Sequence, residues 1–564
     1  MNYSGAGVDR QRADIENGRK KLLWWQPSLA GLYFGALFCV ATFWPSLLPR
    51  PWVFQGVLSG LVFALGYGTG TVGLWLWRYL ELPLLPLRWR ARMYLVLAGS
   101  SAVVAGYTFW NVANWQNVTR GLMQMPKVEE SYYLQITLIG LGIALLLILL
   151  GKVLYLALAW AAALPRHYVP RRIASLLGAL AFLGLLVIAA NDTLLQRTIA
   201  AIDSAQARID ISDPPGAFAP QEPQRSGSAR SLIDWGQLGK AGKQFVHEGP
   251  RRSDIEAFSN RPAQEPIRVY VGLRSAPTPL AQAQLALQDL QRTDAFSRKI
   301  LVIATPTGTG WLQNGAIAPL EYMHDGDIAT VGVQYSYLPS PQSLLLQPGL
   351  VQESASIVFA VIYNYWKTLP AETRPQLYLF GLSLGSLGSE TSVPLYAYVS
   401  DPFHGALWAG PTFRNPLWKR VQRNRDPQSP AWQPRFENGG LFRAFGPGMI
   451  AADQQQGWSP IRTVFLAYPS DPIVFFEENM WSRAPAWMGQ NRGSGVSSGF
   501  TWVPVVTFFQ VALDMLSAAR VPAGHGHNYA VRDYTEAWAV VTGRADWTSD
   551  QTERLLSRVA DEGW

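Results

Sequence analysis

The sequence predicts an α-helical membrane domain of about five spans, followed by an α/β domain with a mostly parallel sheet and helices on both faces. Three observations lead there. Five apolar segments between residues 29 and 190 each reach the roughly 20 residues needed to cross a hydrocarbon core. From residue 265 onward, strand-like runs alternate with helical patterns, the signature of a parallel sheet with crossover helices. Apolar residues make up 49% of the 564, charged residues only 15%, and there are 23 tryptophans, which suits a chain partly in lipid.

Residues 1–27 are polar and carry Arg10, Arg12, Arg19, Lys20 and Lys21. The apolar segments follow near 29–48, 54–77, 93–113, 134–162 and 173–190, within a membrane domain of 28–191. The first is no cleavable signal peptide, because it starts late and more spans follow it. Arg78, Arg88, Arg90 and Arg92 make the loop after the second segment basic, and Arg166, Arg171 and Arg172 do the same after the fourth. The intervening loops carry only Arg50, and then Arg120 and Lys127. The positive-inside rule therefore expects a cytoplasmic N-terminus and a periplasmic or other extracytoplasmic C-terminal domain, in a protein integral to the inner or cell membrane. Trp24, Trp25, Trp44, Trp52, Trp110 and Trp115 fall near the segment ends, as interfacial aromatics do. Lys152 interrupts the fourth segment. It is read as the end of a shorter span near Gly151, snorkelling to the interface, in preference to an intramembrane cation for an acidic headgroup. Gly66, Gly68, Gly70 and Gly73 read as a close helix-packing face.

The net charge of +8 sits beside the apolar segments, which speaks for membrane flanks and against nucleic acid. The single cysteine, Cys39, excludes an intrachain disulfide and a cysteine-based metal site. Six scattered histidines form no H-E-x-x-H or related pattern, so neither metal nor cofactor is expected.

Residues 192–264 read as a connector: a helix over Asp192–Asp210, then a loose linker marked by Pro214, Pro215, Pro220 and Pro223. The soluble domain, 265–564, has strand-like runs at Ile267–Val271, Lys299–Ala304, Ala329–Tyr335, Gln376–Phe380, Gly405–Ala409, Thr463–Tyr468 and Ala518–Val521. Helical patterns lie at Pro279–Leu290, Ala355–Trp366 and Val505–Ser517.

The run Gly381-Leu382-Ser383-Leu384-Gly385 stands between a buried strand and a helix start. Strand, sharp turn and helix are the context of a G-x-S-x-G nucleophile elbow, whose glycines let the turn close. A serine hydroxyl needs a histidine to take its proton, and that histidine needs a carboxylate. In the α/β-hydrolase order the acid comes second and the histidine last. Asp471, on the turn after Thr463–Tyr468, is the expected acid; Asp401, which precedes its strand, is the weaker rival. Gly524-His525-Gly526-His527 supplies the base, with His527 preferred because it lies nearer the next helix, and His525 the alternative. An oxyanion hole needs two backbone N–H groups. Leu384 is expected to give one, and the loop Thr305–Trp311, through Thr307 and Gly308, the other. The same loop read as a phosphate-binding loop lacks a following G-K-[ST].

These stretches, with Pro266–Gly272, Gln334–Ser340 and Leu407–Pro411, resemble the bacterial membrane-anchored α/β-hydrolase family, in which a multi-span N-terminal region precedes a catalytic region. The resemblance covers nearly the whole chain and implies lipase or esterase activity. Members often carry glutamate just before the nucleophile; here Leu382 stands there with the G-x-S-x-G frame intact.

Two insertions bear on substrate. Residues 411–460 carry Trp418, Trp432, Phe436, Phe442 and Phe445, and residues 475–500 carry Phe475, Phe476, Met480, Trp481, Trp487 and Met488. The first occupies a common lid position, and an apolar lid suits a lipid or other acyl-ester substrate. The expectation is thus a membrane serine hydrolase acting through an acyl-enzyme. An acyltransferase using the same groups and a non-catalytic lipid- or partner-binding module are the alternatives. A transporter is disfavoured by the scarcity of intramembrane charge.

Overall fold

A computed structural model describes residues 27–83, 86–130, 132–163, 193–347, 349–450, 457–489 and 491–561. The N-terminal tail through residue 26 and the expected span near 173–190 lie outside the described residues. The chain divides into two compact units. Described residues within 27–118, 126–163 and 499–513 form the first, and those within 119–125, 193–498 and 514–561 form the second.

The first unit is helical: Leu29–Ala41, Trp52–Tyr79, Leu87–Leu122 and Tyr133–Ala163. Three stretches are long and apolar enough to cross a membrane, Trp52–Tyr79, Arg92–Leu122 and Tyr133–Ala157. The first expected span differs. Its helix ends at Ala41 after 13 residues, a rise of about 20 Å where a hydrocarbon core needs about 30 Å. The cause is local. Pro45, Pro49 and Pro51 have no N–H to extend a helix, and the Thr42 N–H and hydroxyl both turn back to the Cys39 carbonyl. The helix containing Lys152, by contrast, runs past Gly151 without a break to Ala163.

Glycine sets how closely these helices approach. A Cβ on Gly66 would lie 2.6 Å from the Phe34 carbonyl oxygen, and one on Gly70 2.4 Å from that of Ala30, whereas Gly68 and Gly73 face nothing within 4 Å. Of these four glycines, only the i, i+4 pair Gly66 and Gly70 therefore lies on a packing face. A segment from far along the chain completes this unit. Val506 packs with Ala41, Leu58 and Val62, and the Gln510 amide donates to the carbonyls of Thr42 (3.3 Å) and Trp44 (3.2 Å). It thereby satisfies carbonyls that the end of Leu29–Ala41 leaves without helical partners.

The second unit is built on a seven-stranded, wholly parallel sheet in the order β1-β3-β2-β4-β5-β7-β6. Its strands are β1 Ile267–Val271, β2 Ile300–Thr305, β3 Ile328–Val333, β4 Gln376–Leu382, β5 Gly405–Ala409, β6 Phe442–Phe445 and β7 Arg462–Leu466. The near-continuous apolar runs reflect burial on both faces. Ala518–Val521 is not a strand; it follows the short helical turn Met515–Ser517. In its place β6 joins the edge, in register with β7 from Phe442↔Thr463 to Phe445↔Leu466. Four residues among loops carry too short a pattern to be read as a strand.

Two expectations about the surroundings of the sheet are corrected. After the helix Thr193–Asp210, residues 211–224 are turns and bends as expected, but from Arg225 on the connector is packed structure: helices Gly239–Glu248 and Arg252–Ser259 form, and Ile233, Leu238, Phe245 and Val246 are buried. Its anchor is Arg225, fully buried, which donates to the carbonyls of Val246 and Pro250 and pairs with Glu265. Next to it Arg268 of β1 makes a bidentate pair with Glu321 at 2.8 and 2.6 Å, both side chains fully buried. Likewise part of the first insertion belongs to the sheet and its core. Trp418 is fully buried with its ring 5.2 Å from that of Phe465, and Phe442 and Phe445 belong to β6.

Candidate active site

β4 runs out at Leu382 and the helix Leu384–Ser392 begins two residues later, so Ser383 must turn the chain alone. It does so at φ +58°, a region L-residues rarely occupy. The turn closes because its glycines lack side chains: a Cβ on Gly381 would meet the Gly385 carbonyl oxygen at 2.4 Å, and one on Gly385 the Thr305 carbonyl oxygen at 2.2 Å. The Ser383 N–H donates to the Ala409 carbonyl at the end of β5 (2.9 Å). Its own carbonyl accepts from the Ser386 hydroxyl (2.6 Å).

Asp471 follows β7 and caps the helix Pro472–Phe475, its Oδ1 accepting from the Ile473 N–H at 2.9 Å. Its Oδ2 lies 2.6 Å from His527 Nδ1 and accepts from the Tyr529 hydroxyl at 2.7 Å. Asp471 is fully buried and the His527 side chain is 8% exposed. A nitrogen this close to a carboxylate carries the proton, which leaves the lone pair on Nε2. That Nε2 is buried and has no hydrogen-bond partner among the described residues. Burial and then the Asp471 charge push the Tyr529 phenol well above its usual range, so it stays a donor.

The loop bearing His527 is held from several sides. The His527 N–H donates to the Ala518 carbonyl (2.8 Å), and the Gly526 N–H to the Ser470 hydroxyl (2.9 Å). Gly524 and Gly526 both have positive φ, which lets the chain double back. Gly410 abuts the imidazole: a Cβ there would be 2.4 Å from His527 Cε1. So the end of β5 touches Ser383 through Ala409 and His527 through Gly410.

His525 does not meet Asp471; its ring nitrogen lies toward Gly495, and burial lowers its basicity. Asp401 pairs with Arg374 and its carbonyl accepts from the Tyr363 hydroxyl, so it is a structural ion pair. The loop Thr305–Trp311 does lie against the elbow, through the Thr305 contact with Gly385. Its expected N–H donors are nevertheless committed: Thr307 donates to the Trp311 carbonyl (3.0 Å) and Gly308 to the Ser340 hydroxyl (3.1 Å). One is taken up by the turn of the loop itself, the other by the start of the helix Ser340–Leu346. Thr309 and Leu384 keep N–H groups without a partner among the described residues.

Sequence reasoning passed over Tyr529, because a tyrosine two residues from a histidine carries no pattern of its own. It also passed over Glu390. Buried behind the elbow, Glu390 accepts from Asn415 Nδ2 (2.8 Å) and the Leu417 N–H, and Asn415 reaches the Ser386 hydroxyl (3.3 Å). Burial raises its carboxyl to about 7, against the lowering effect of those donors. No cluster of His, Cys, Asp and Glu able to hold a metal ion occurs among the described residues.

Comparison with known protein families places this geometry in context. The alpha/beta-hydrolase family matches residues 267–555, and the N-terminal region described for that family matches residues 43–250. No curated protein and no solved structure matches the chain.

Proposed function

The chain belongs to the alpha/beta-hydrolase family, and from that premise we propose that it is a membrane-anchored serine hydrolase cleaving a carboxylic ester, with Ser383, His527 and Asp471 as its working groups. The observation that carries this reading is the 2.6 Å pair of His527 Nδ1 and Asp471 Oδ2, which leaves a buried Nε2 lone pair unused. In the proposed cycle Nε2 takes the Ser383 proton as Oγ attacks the ester carbonyl, and the imidazolium is stabilised by Asp471. Nε2 then protonates the leaving alkoxide, an acyl-enzyme remains, and water attacks it by the same route. The Leu384 N–H, at the start of the helix, receives the developing oxyanion. With Thr307 and Gly308 already committed to the Trp311 carbonyl and the Ser340 hydroxyl, the second donor is assigned to Thr309. Transfer to an alcohol in place of water would use the same groups.

The catalytic unit is placed outside the cytoplasm. That side depends only on the basic loop with Arg166, Arg171 and Arg172 and on one span after it, so the short first helix does not change it.

Labelling detergent-purified protein with a fluorophosphonate tests the proposal. Wild type and His525→Ala should label; Ser383→Ala should not, and His527→Ala should lose nearly all of its labelling rate. A folded wild type that takes up no probe would sink the hydrolase reading in favour of a binding module.

A further inference from the structure

The two insertions enclose a cavity of about 550 Å³ between the helix Pro416–Arg423 and the segment 474–487, a volume in the range of small-molecule sites. Its walls grow from the loops that carry the candidate site. Phe413 stands three residues past Gly410, and its N–H donates to the carbonyl of Ile473, two residues past Asp471 (2.9 Å). One wall is apolar, with Phe413 and Phe476 edge to face at 4.9 Å. The rest of the lining is rich in cations: Lys419, Arg423, Arg425 and Arg483 contribute, against Glu477 and Glu478, four positive charges to two negative.

These cations are not all used internally. Arg425 is bonded to the carbonyls of Gln422 and Ser429. The side chains of Lys419, Arg423 and Arg483 have no hydrogen bond and no ion pair among the described residues, although all three act on Glu477 at longer range. Arg420 on the same helix and Arg414 just before it extend the positive surface. Unpaired cations beside an aromatic wall match a ligand that is anionic at one end and apolar at the other.

We propose that this cavity binds the anionic end of an amphiphilic substrate, a phosphate- or carboxylate-bearing acyl ester whose apolar part lies along Phe413 and Phe476. This rests on the serine-hydrolase reading and names the substrate class of that same site.

The test uses the full chain in detergent. Calorimetric titration of the Ser383→Ala protein with hexyl phosphate, inorganic phosphate and hexanol reads the cavity without any turnover. Hexyl phosphate should bind more tightly than either of the others, and the added triple change Lys419→Gln, Arg423→Gln, Arg483→Gln should weaken it about tenfold or more, the scale of charge-assisted hydrogen bonds. Binding of inorganic phosphate as tight as that of hexyl phosphate would overturn the amphiphile, and hexyl phosphate binding indifferent to the triple change would overturn the cavity. With Ser383 intact, the ratio of kcat/KM for the p-nitrophenyl monoester of adipate over p-nitrophenyl hexanoate should fall about tenfold in the triple variant; an unchanged ratio counts against the proposal. The single change Arg423→Gln gives the same directions should the triple variant misfold. Absent fluorophosphonate labelling of wild type sinks the hydrolase reading alone, since the titration still decides the cavity.

Discussion

Asp471 gathers three donors on one carboxylate: the Ile473 N–H, His527 Nδ1 and the Tyr529 hydroxyl. Asp471→Asn keeps the cap through its remaining carbonyl oxygen but stabilises the wrong tautomer of His527. Fluorophosphonate labelling should slow roughly ten-thousandfold with little change in melting temperature. Tyr529→Phe removes one donor from a buried charge and should slow labelling about tenfold, the range expected for a hydrogen bond to a charged group. Ser383 presents the opposite balance. Its positive φ is strained for any side chain, so Ser383→Gly should raise unfolding stability by about 1 kcal/mol in denaturant melts while abolishing labelling. Burial cannot be read at single positions, which is why Asp471 and His527 were legible through their order along the chain and Tyr529 was not.

Packing between elements decides two further outcomes. Gly68 and Gly70 look alike in sequence, two residues apart in one apolar helix. Gly70→Leu drives a side chain into the Ala30 carbonyl and should destabilise the helical unit by about 2 kcal/mol, whereas Gly68→Leu meets open space and should be tolerated. Thermal melts of the pair in the same detergent check this. Glu390 joins the elbow helix to the start of Pro416–Arg423. Its folded pKa, about 7, lies above the ordinary 4.5, so between those values the folded state binds more protons than the unfolded chain. Stability from this group is therefore full below about pH 4.5 and falls as pH rises toward 7. Glu390→Gln should flatten that decline, measured as Tm against pH.

At the scale of the whole molecule, residues 499–513 belong to the unit made by the N-terminal apolar helices although they lie between Asp471 and His527 in sequence. A fragment 193–564 would leave Val506, Phe509 and Leu513 without the neighbours that bury them. It should elute from size exclusion as aggregate unless detergent is present; a detergent-free monomer would contradict this role for the segment. In sequence, the amphipathic pattern of 505–517 is indistinguishable from that of any surface helix of the α/β unit, because periodicity tells which face is buried and not what covers it.

What the sequence alone determined is whatever repeats locally: apolar runs long enough to cross a bilayer, strands buried on both faces, glycines around a serine, and the order serine, aspartate, histidine. These follow from backbone geometry and the hydrophobic effect acting within about ten residues. The tertiary structure alone decided that the first apolar segment breaks at Ala41, that residues 225–263 pack around buried arginines, that Phe442–Phe445 adds a seventh strand, and that His527, not His525, meets Asp471. Each of those depends on partners tens to hundreds of residues away, or on how a turn spends its own N–H groups. A residue pattern does not encode such contacts until the chain has closed on itself.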